Sequence, residues 1–257
     1  MNSNRVKIVM LCGNGLSSRI MYHSLNEHVD IACVIIENKP STKLIIQRRI
    51  KNIGLLKTLG QVAFMIISKL VAKASVTKMN QLISTYQLNT SEIPSNITKK
   101  VETINCDETI RLLQEIKPTA IVVNGTRIIS KNVLSAINVP FINTHMGITP
   151  KYRGVHGGYW ALANNDMANC GVTVHLVDQG IDTGGVLYQD VIYPSHNDNF
   201  NTYPIHQIAI AIPLMKMALK DIQENNIHIK KNNLPSYLWY HPTLFEYLKN
   251  WLINGVK

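Results

Sequence analysis

Acidic residues are scarce in this chain: 16 Asp and Glu stand against 26 Lys and Arg, a formal net charge of +10 at pH 7. The shortage is local. Between Lys43 and Lys78 lie eight basic residues (Lys43, Arg48, Arg49, Lys51, Lys57, Lys69, Lys73, Lys78) and no acid, which leaves +2 for everything else. Basicity therefore belongs to one segment, and no nucleic-acid partner is expected from it. Phe64 is the one aromatic inside that run, so it offers no ladder on which bases could stack. Cysteine is also sparse. Cys12, Cys33, Cys106 and Cys170 show no Cys-x-x-Cys and no paired metal spacing, which argues against a disulfide framework and for buried thiols in a reducing compartment. Within the basic segment no uncharged run reaches the roughly 18 residues of a membrane span; the longest there is Thr58–Ser68. Met1-Asn-Ser-Asn-Arg-Val-Lys7 leads into a strand-like run too short for a signal peptide, so a cytoplasmic location is expected. No Ser or Cys sits at a nucleophile elbow.

What is present reads as a globular α/β chain, with 46% hydrophobic and 16% charged residues over 257 positions. Val6–Cys12 is an apolar, β-branched run that stops at Gly13-Asn-Gly15; Ser17 or Ser18 could cap a helix near Arg19–Asn26, and Ile31–Glu37 reads as a second buried strand. Strand, glycine turn, helix and strand make a βα unit of a parallel sheet, and nearly continuous apolar strands mean that both faces are covered. The expectation is a Rossmann-like, mostly parallel twisted sheet with helices on both faces. Further strands are expected at Lys100–Ile104, Ala120–Asn124, Phe141–His145 and Tyr188–Tyr193. Helices are expected at Asp107–Ile116, with Asp107 as cap, at Val133–Ala136, and from Tyr203 to about Glu224. Residues 1–200 would form the catalytic domain. Residues 201–257 would be a helix and aromatic tail packed on it, as a flap or a homodimer contact.

Gly13-x-Gly15-x-x-Ser18, with Glu37 beyond it, nearly spells a dinucleotide fingerprint, but serine holds the third position. The loop is read as a tight turn or a small anion or ligand site at a helix N-terminus. The basic insertion, residues 43–86, is rich in helix formers, with Gly54 and Gly60 as expected breaks. Its plain reading is a pair of helices on the sheet or on a second copy of the chain. Its sharper reading is peripheral docking of 43–78 onto an anionic membrane surface or a polyanionic substrate. On a helical wheel Leu55, Leu59 and Ile66 intrude on the side carrying Arg48, Lys51, Lys69 and Lys73.

The chemistry concentrates between Phe141 and Gln189. Asn143 and His145, two apart on a strand, project to one face. Asp182 lies among glycines where backbone bends closely; His156 and His175 lack metal spacing, and no metal is expected. Amide, imidazole and carboxylate without metal or nucleophile suit acyl transfer to an external amine.

Ile142-Asn-Thr-His145, Pro150-Lys-Tyr-Arg-Gly154, Gly171-Val-Thr-Val-His175 and Asp182-Thr-Gly184 resemble the folate-dependent formyltransferases. That superfamily includes methionyl-tRNA, glycinamide-ribonucleotide and amino-sugar enzymes. The resemblance spans about Ala120–Asp190, with a weaker match over the first strand and loop, and does not extend to the basic insertion. It implies Asn143, His145 and Asp182 as catalytic residues and 10-formyltetrahydrofolate as donor. The pterin would lie against Asn124, Gly125, Thr126, Arg127 and Ile128 and against Val177, Gln179 and Gly180. Gly13, Asn14, Gly15, Tyr152, Arg153 and His156 would face the acceptor. Met146-Gly-Ile-Thr-Pro150 stands where the family often has Ser-Leu-Leu-Pro. The glycinamide-ribonucleotide type is compact and lacks such an insertion. The tail offers too few strands for the methionyl-tRNA enzyme's C-terminal barrel. An amino sugar of a surface glycan is therefore the expected acceptor. A glycinamide-like or lipid-linked amine, water (a hydrolase) and a non-catalytic membrane- or RNA-docking protein are the alternatives.

Overall fold

The computed structural model describes residues 5–257; Met1–Asn4, the start of the stretch read for a signal peptide, lie outside them. Nine strands and nine α-helices follow one another along the described residues. In chain order they are β1 (Lys7–Gly13), α1 (Leu16–Asn26), β2 (Asp30–Glu37), α2 (Thr42–Ile53), α3 (Leu55–Ala74), α4 (Val76–Thr85), β3 (Thr98–Val101), α5 (Asp107–Ile116) and β4 (Ala120–Asn124). There follow α6 (Lys131–Leu134), β5 (Phe141–His145), β6 (Arg153–Gly154), α7 (Gly157–Ala163), β7 (Gly171–Leu176), β8 (Val186–Val191), α8 (Tyr203–Gln223), β9 (Leu238–Trp239) and α9 (Leu244–Asn254).

Seven strands form one sheet in the order β3-β2-β1-β4-β5-β7-β8. The pairs from β3 through β5 are parallel, and β7 and β8 run antiparallel at the edge. The reason lies in β1, whose side chains alternate between two cores. Ile8 and Met10 pack with Val34, Val122 and Ile142 beneath α1 and α8, while Val9 and Leu11 pack with Ile35, Ile121 and Phe141 beneath α5. Each face buries its own set, so the sheet is covered on both sides as its unbroken apolar strands require. The strand order reverses between β1 and β4. Loops leaving the carboxyl ends of neighbouring strands diverge there and open a crevice, the usual ligand position in such sheets.

Several boundaries differ from the sequence expectation. Helix α1 begins at Leu16 with Gly15 as its N-cap and no side-chain cap bond. Ser17 and Ser18 lie inside its first turn, where both hydroxyls accept from the Asn124 amide. Cys106, not Asp107, occupies the cap of α5; Asp107 and Glu108 sit in the first turn, where their charge favours the helix dipole. β3, α6 and β8 each begin two residues earlier than expected, because backbone pairing rather than apolarity sets their ends.

The basic insertion folds into α2, α3 and α4. Gly54 breaks the chain with φ +83°, but Gly60 does not. It lies within α3, where a Cβ would stand 2.9 Å from Thr243 Cβ. Glycine here lets α3 approach the start of α9. By length and composition α3 could cross a membrane, with 20 residues and mean hydropathy 1.5. No unbroken apolar run announces it in the sequence, because Lys57, Lys69 and Lys73 interrupt the helix. The C-terminal tail joins the same body: β9 pairs with β6 in parallel, Arg153 opposite Leu238.

Candidate active site

Strand β5 ends in the crevice and carries two of the three expected catalytic groups. Val123 of β4 pairs with Asn143, and Asn143 pairs with His175 of β7. Asn143 and His145 share a face, as period-two alternation requires. The third group comes from the loop after β7. Asp182 has φ +51°, a left-handed conformation that aspartate and asparagine tolerate better than most residues. The turn is held by Asp178, whose carboxylate accepts from the Gly180 N–H and the Thr183 hydroxyl. Gly154 N–H donates to Asp182 Oδ2 at 2.9 Å.

These groups converge. His145 Nδ1 stands 3.2 Å from Asp182 Oδ2, and its Nε2–H donates to the Tyr152 carbonyl at 2.6 Å. Asn143 Nδ2 lies 3.2 Å from His175 Nε2, and His175 Nδ1–H donates to the Leu176 carbonyl at 2.7 Å. Asp182 Oδ1 is 3.6 Å from the same His175 Nε2. That nitrogen accepts from Asn143 when bare and donates to Asp182 when protonated.

Burial pushes the His145 imidazole below its ordinary range, against the pull of Asp182 and the Tyr152 carbonyl. Burial would raise the Asp182 carboxyl, but His175, His145 and the Gly154 N–H together outweigh it and hold it down to about 2. With His145 neutral and His175 Nε2 accepting from Asn143, the Gly154 N–H is the donor left to hold Asp182 ionised. A neutral His145 bonded through Nε2–H leaves Nδ1 bare beside a carboxylate, which is a place prepared to receive a proton.

The cavity around these groups has a volume of about 630 Å³, within the roughly 300–1,000 Å³ usual for ligand sites. Its lining includes Gly125, Thr126, Arg127, Ile128 and Ile129 after β4, and Val177, Asp178, Gly180, Ile181 and Asp182 after β7. Glu37 fixes the first loop by accepting from Arg127 N–H at 2.5 Å and from Ile104 N–H at 3.3 Å. The carboxylate that the fingerprint would have aimed at a ribose is thus engaged within the protein.

Other expected site residues are placed differently. Tyr152 does not reach the cavity: its ring is buried against Trp239, and its hydroxyl donates to Asp166 Oδ2 at 2.8 Å. Only its carbonyl serves the site. Arg153 donates to the Ile181 carbonyl at 3.0 Å and braces the aspartate loop from an adjoining cleft. Asn124 is buried and ties β4 to α1 through Ser17 and Ser18. Gln179 points to solvent, because the turn at Asp178 rotates it away from the lining. Gly13, Asn14 and Gly15 line two separate clefts of about 320 and 240 Å³; the second shares Gly125, Thr126 and Arg127 with the main cavity.

Two contributions are not visible in the sequence. The first is His175, which in the sequence comes up only as a histidine without metal spacing; among the described residues no group of three or more His, Cys, Asp or Glu side chains could hold a metal ion. The second is the tail, which supplies Leu238, Trp239, Tyr240 and His241 to the cavity wall. His156 does line the cavity, and its Nε2 lies 2.9 Å from His241 Nδ1. Burial pushes His156 to about 3, helped by His241 and Arg49, and pushes His241 to about 4, helped by Arg49. Both folded values lie below the unfolded one of about 6.5, so between them the unfolded chain binds more protons. Stability is therefore full above about pH 6.5 and falls on acidification, by up to about 1.4 kcal/mol per pH unit per histidine. Urea melts from pH 7.5 to 5 should show that slope, and His241→Gln should flatten it.

Fold and site point the same way as comparison with known proteins. A family model described as "Formyl transferase" matches residues 7–204, and the chain belongs to that family. It is 37% identical over 102 residues to a methionyl-tRNA formyltransferase of Thermodesulfovibrio yellowstonii (strain ATCC 51303 / DSM 11347 / YP87), covering 39% of this chain and 33% of that protein. With the same-named protein of Methylacidiphilum infernorum (isolate V4) it shares 34% over 139 residues, 53% and 43% of the two chains. The match thus spans less than half of these curated relatives. Among solved structures, a sugar N-formyltransferase from Shewanella sp FDAARGOS_354 aligns with TM-score 0.55 and 16% identity, over 91% of this chain and 76% of that one. Glycinamide ribonucleotide transformylase 1 from Symbiobacterium toebii aligns with TM-score 0.59 and 15% identity, over 89% and 92%. At such identities these two show a common fold.

Proposed function

We propose that this chain moves the formyl group of 10-formyltetrahydrofolate onto the primary amine of an amino sugar, in the cytoplasm, where its four free cysteines stay reduced. The observation that carries formyl transfer is the meeting of Asn143, His145, His175 and Asp182 at one cavity. The donor fits that cavity. The backbone of Gly125–Ile129 and the apolar Ile129 and Val177 would hold a flat heterocycle, with Val177–Asp182 on its other edge. When bound, the folate supplies the formyl carbon and a leaving nitrogen.

The residues of the chain then divide the work. Asn143 uses one Nδ2–H on His175 and presents the other to the formyl oxygen, where negative charge develops as the amine attacks. His145 Nδ1 takes the proton that the amine sheds, and ionised Asp182 steadies the resulting imidazolium. The same proton is returned to the departing nitrogen. His145 has no second N–H left for the oxyanion, because Nε2–H is held by the Tyr152 carbonyl. Its role is that of proton carrier.

The acceptor class draws support from Tyr240, an exposed aromatic ring on the cavity wall that suits the apolar face of a sugar ring, and from the sugar N-formyltransferase among the structural neighbours. The test is tetrahydrofolate release from 10-formyltetrahydrofolate with a panel of nucleotide-linked amino sugars, glycinamide ribonucleotide, methionyl-tRNA and no acceptor. Turnover with a sugar amine is expected. Turnover restricted to methionyl-tRNA or glycinamide ribonucleotide would overturn the acceptor, and brisk release without an amine would make the chain a hydrolase.

A further inference from the structure

Helix α3 is amphipathic in the reverse sense. Its polar side faces the protein: the Thr58 and Gln61 side chains are buried, Gln61 donates to the His241 carbonyl at 2.7 Å, and the Ser68 hydroxyl contacts Asn201. Just beyond its end, Ser75 accepts from Asn199 at 2.9 Å. Phe64 alone carries bulk inward, meeting Phe200 and Tyr247. The opposite stripe, Leu55, Leu59, Ile66 and Leu70, is exposed, and neighbouring Leu56 is 84% exposed. Spacing of four, seven and four residues puts that stripe on one face.

Helix α9 packs on α3 through Thr243 and Tyr247 and repeats the pattern. It buries Tyr247 and turns Phe245, Leu248 and Leu252 to solvent, Phe245 at 76% and Leu252 at 82% exposure. Apolar exposure of this extent on two adjoining helices marks an interaction surface. The helices α2 and α3 carry exposed Lys43, Arg48, Lys51, Lys57, Lys69 and Lys73, with Lys249 on α9, whereas Arg49 is half-buried beside the His156–His241 pair. No salt bridge among the described residues engages any of them.

We propose that this face of α2, α3 and α9 docks the chain on the surface of an anionic lipid bilayer. Charge complementarity selects the occupant. A second copy related by a two-fold axis would set the same lysines and arginines against themselves. A nucleic acid would match the charge and leave the leucines in water. A bilayer with anionic headgroups takes both, the side chains of the apolar stripe entering the headgroup boundary while the basic flanks meet phosphate. The hydrogen bonds along the inner face of α3 hold it to the catalytic body, so the helix lies on the membrane and does not span it.

The experiment is co-sedimentation of the full chain, without folate, with vesicles of phosphatidylcholine alone or mixed with phosphatidylglycerol. Binding to the anionic vesicles should exceed binding to the neutral ones by about tenfold or more and weaken as salt shortens the screening length. The double variant Leu56→Gln, Leu252→Gln should lose about tenfold in binding at an unchanged melting temperature, since both side chains face solvent. Equal binding to both vesicle types, no binding to either, or full binding by the double variant would overturn the proposal. So would a dimer in light scattering that the double variant dissolves. The readout is independent of catalysis, so failure here and failure of formyl transfer are distinguishable.

Discussion

Asp182→Asn is expected to lower kcat/KM for formyl transfer by about 10²–10⁴, the range lost when a positioned acid or base stops working. The substitution isolates charge from shape. Asparagine tolerates the left-handed φ of +51° as well as aspartate does, and its side-chain oxygen can still accept from the Gly154 N–H. What disappears is the negative charge 3.2 Å from His145 Nδ1. The imidazolium formed in the reaction then has no counter-charge, and burial already disfavours it. A carboxyl held at about 2, against an unfolded value near 3.9, contributes about 2–3 kcal/mol of stability. That contribution is present above about pH 4 and is lost as the pH falls through 2, so the variant should melt earlier at pH 7 and no earlier in strong acid. Steady-state rates with thermal melts at the two pH values check both halves. Near-normal turnover would remove Asp182 from the mechanism.

Much of this site is legible in the sequence because its geometry is local. Asn143 and His145 are separated by the strand period, so one face must hold both once Phe141–His145 is read as a strand. Asp182 is visible through the glycines around it. His175 is not, because its place depends on the antiparallel register of β5 with β7. That register is a pairing between distant segments, and a histidine closing an alternating strand looks the same whether its ring meets a catalytic amide or packs in a core. Tyr152 shows a different limit. Its nearness to the motif is informative, but residue type suggests that the ring does the work, whereas the carbonyl does. The insertion shows a third. Leucines crossing the basic side of a wheel read as spoiled amphipathicity, yet Leu55, Leu59 and Ile66 form the outward stripe of α3. A wheel gives the angles between side chains and leaves open which angle faces the protein. Gly60 reads as a break for the same reason: its role needs Thr243, far away in the chain.

Asn143→Ala should lower kcat by about 10²–10³, equivalent to about 2.7–4 kcal/mol of transition-state stabilisation, as loss of an oxyanion donor does elsewhere. The KM for the donor should change little, because the lost N–H acts on charge that develops only during attack. Asn143→Asp keeps the shape but sets a second carboxylate near Asp182 and the developing oxyanion, so it should be slower than Asn143→Ala. The amide has a second partner, His175 Nε2 at 3.2 Å, and a rate loss could arise from a misplaced His175 instead. A double-mutant cycle separates the two. If Asn143 acts on the oxyanion itself, Asn143→Ala should cost nearly as much with His175→Ala already present as without it. If Asn143 acts only by holding His175, its substitution should cost nothing in the His175→Ala background, and the amide would lose its oxyanion role.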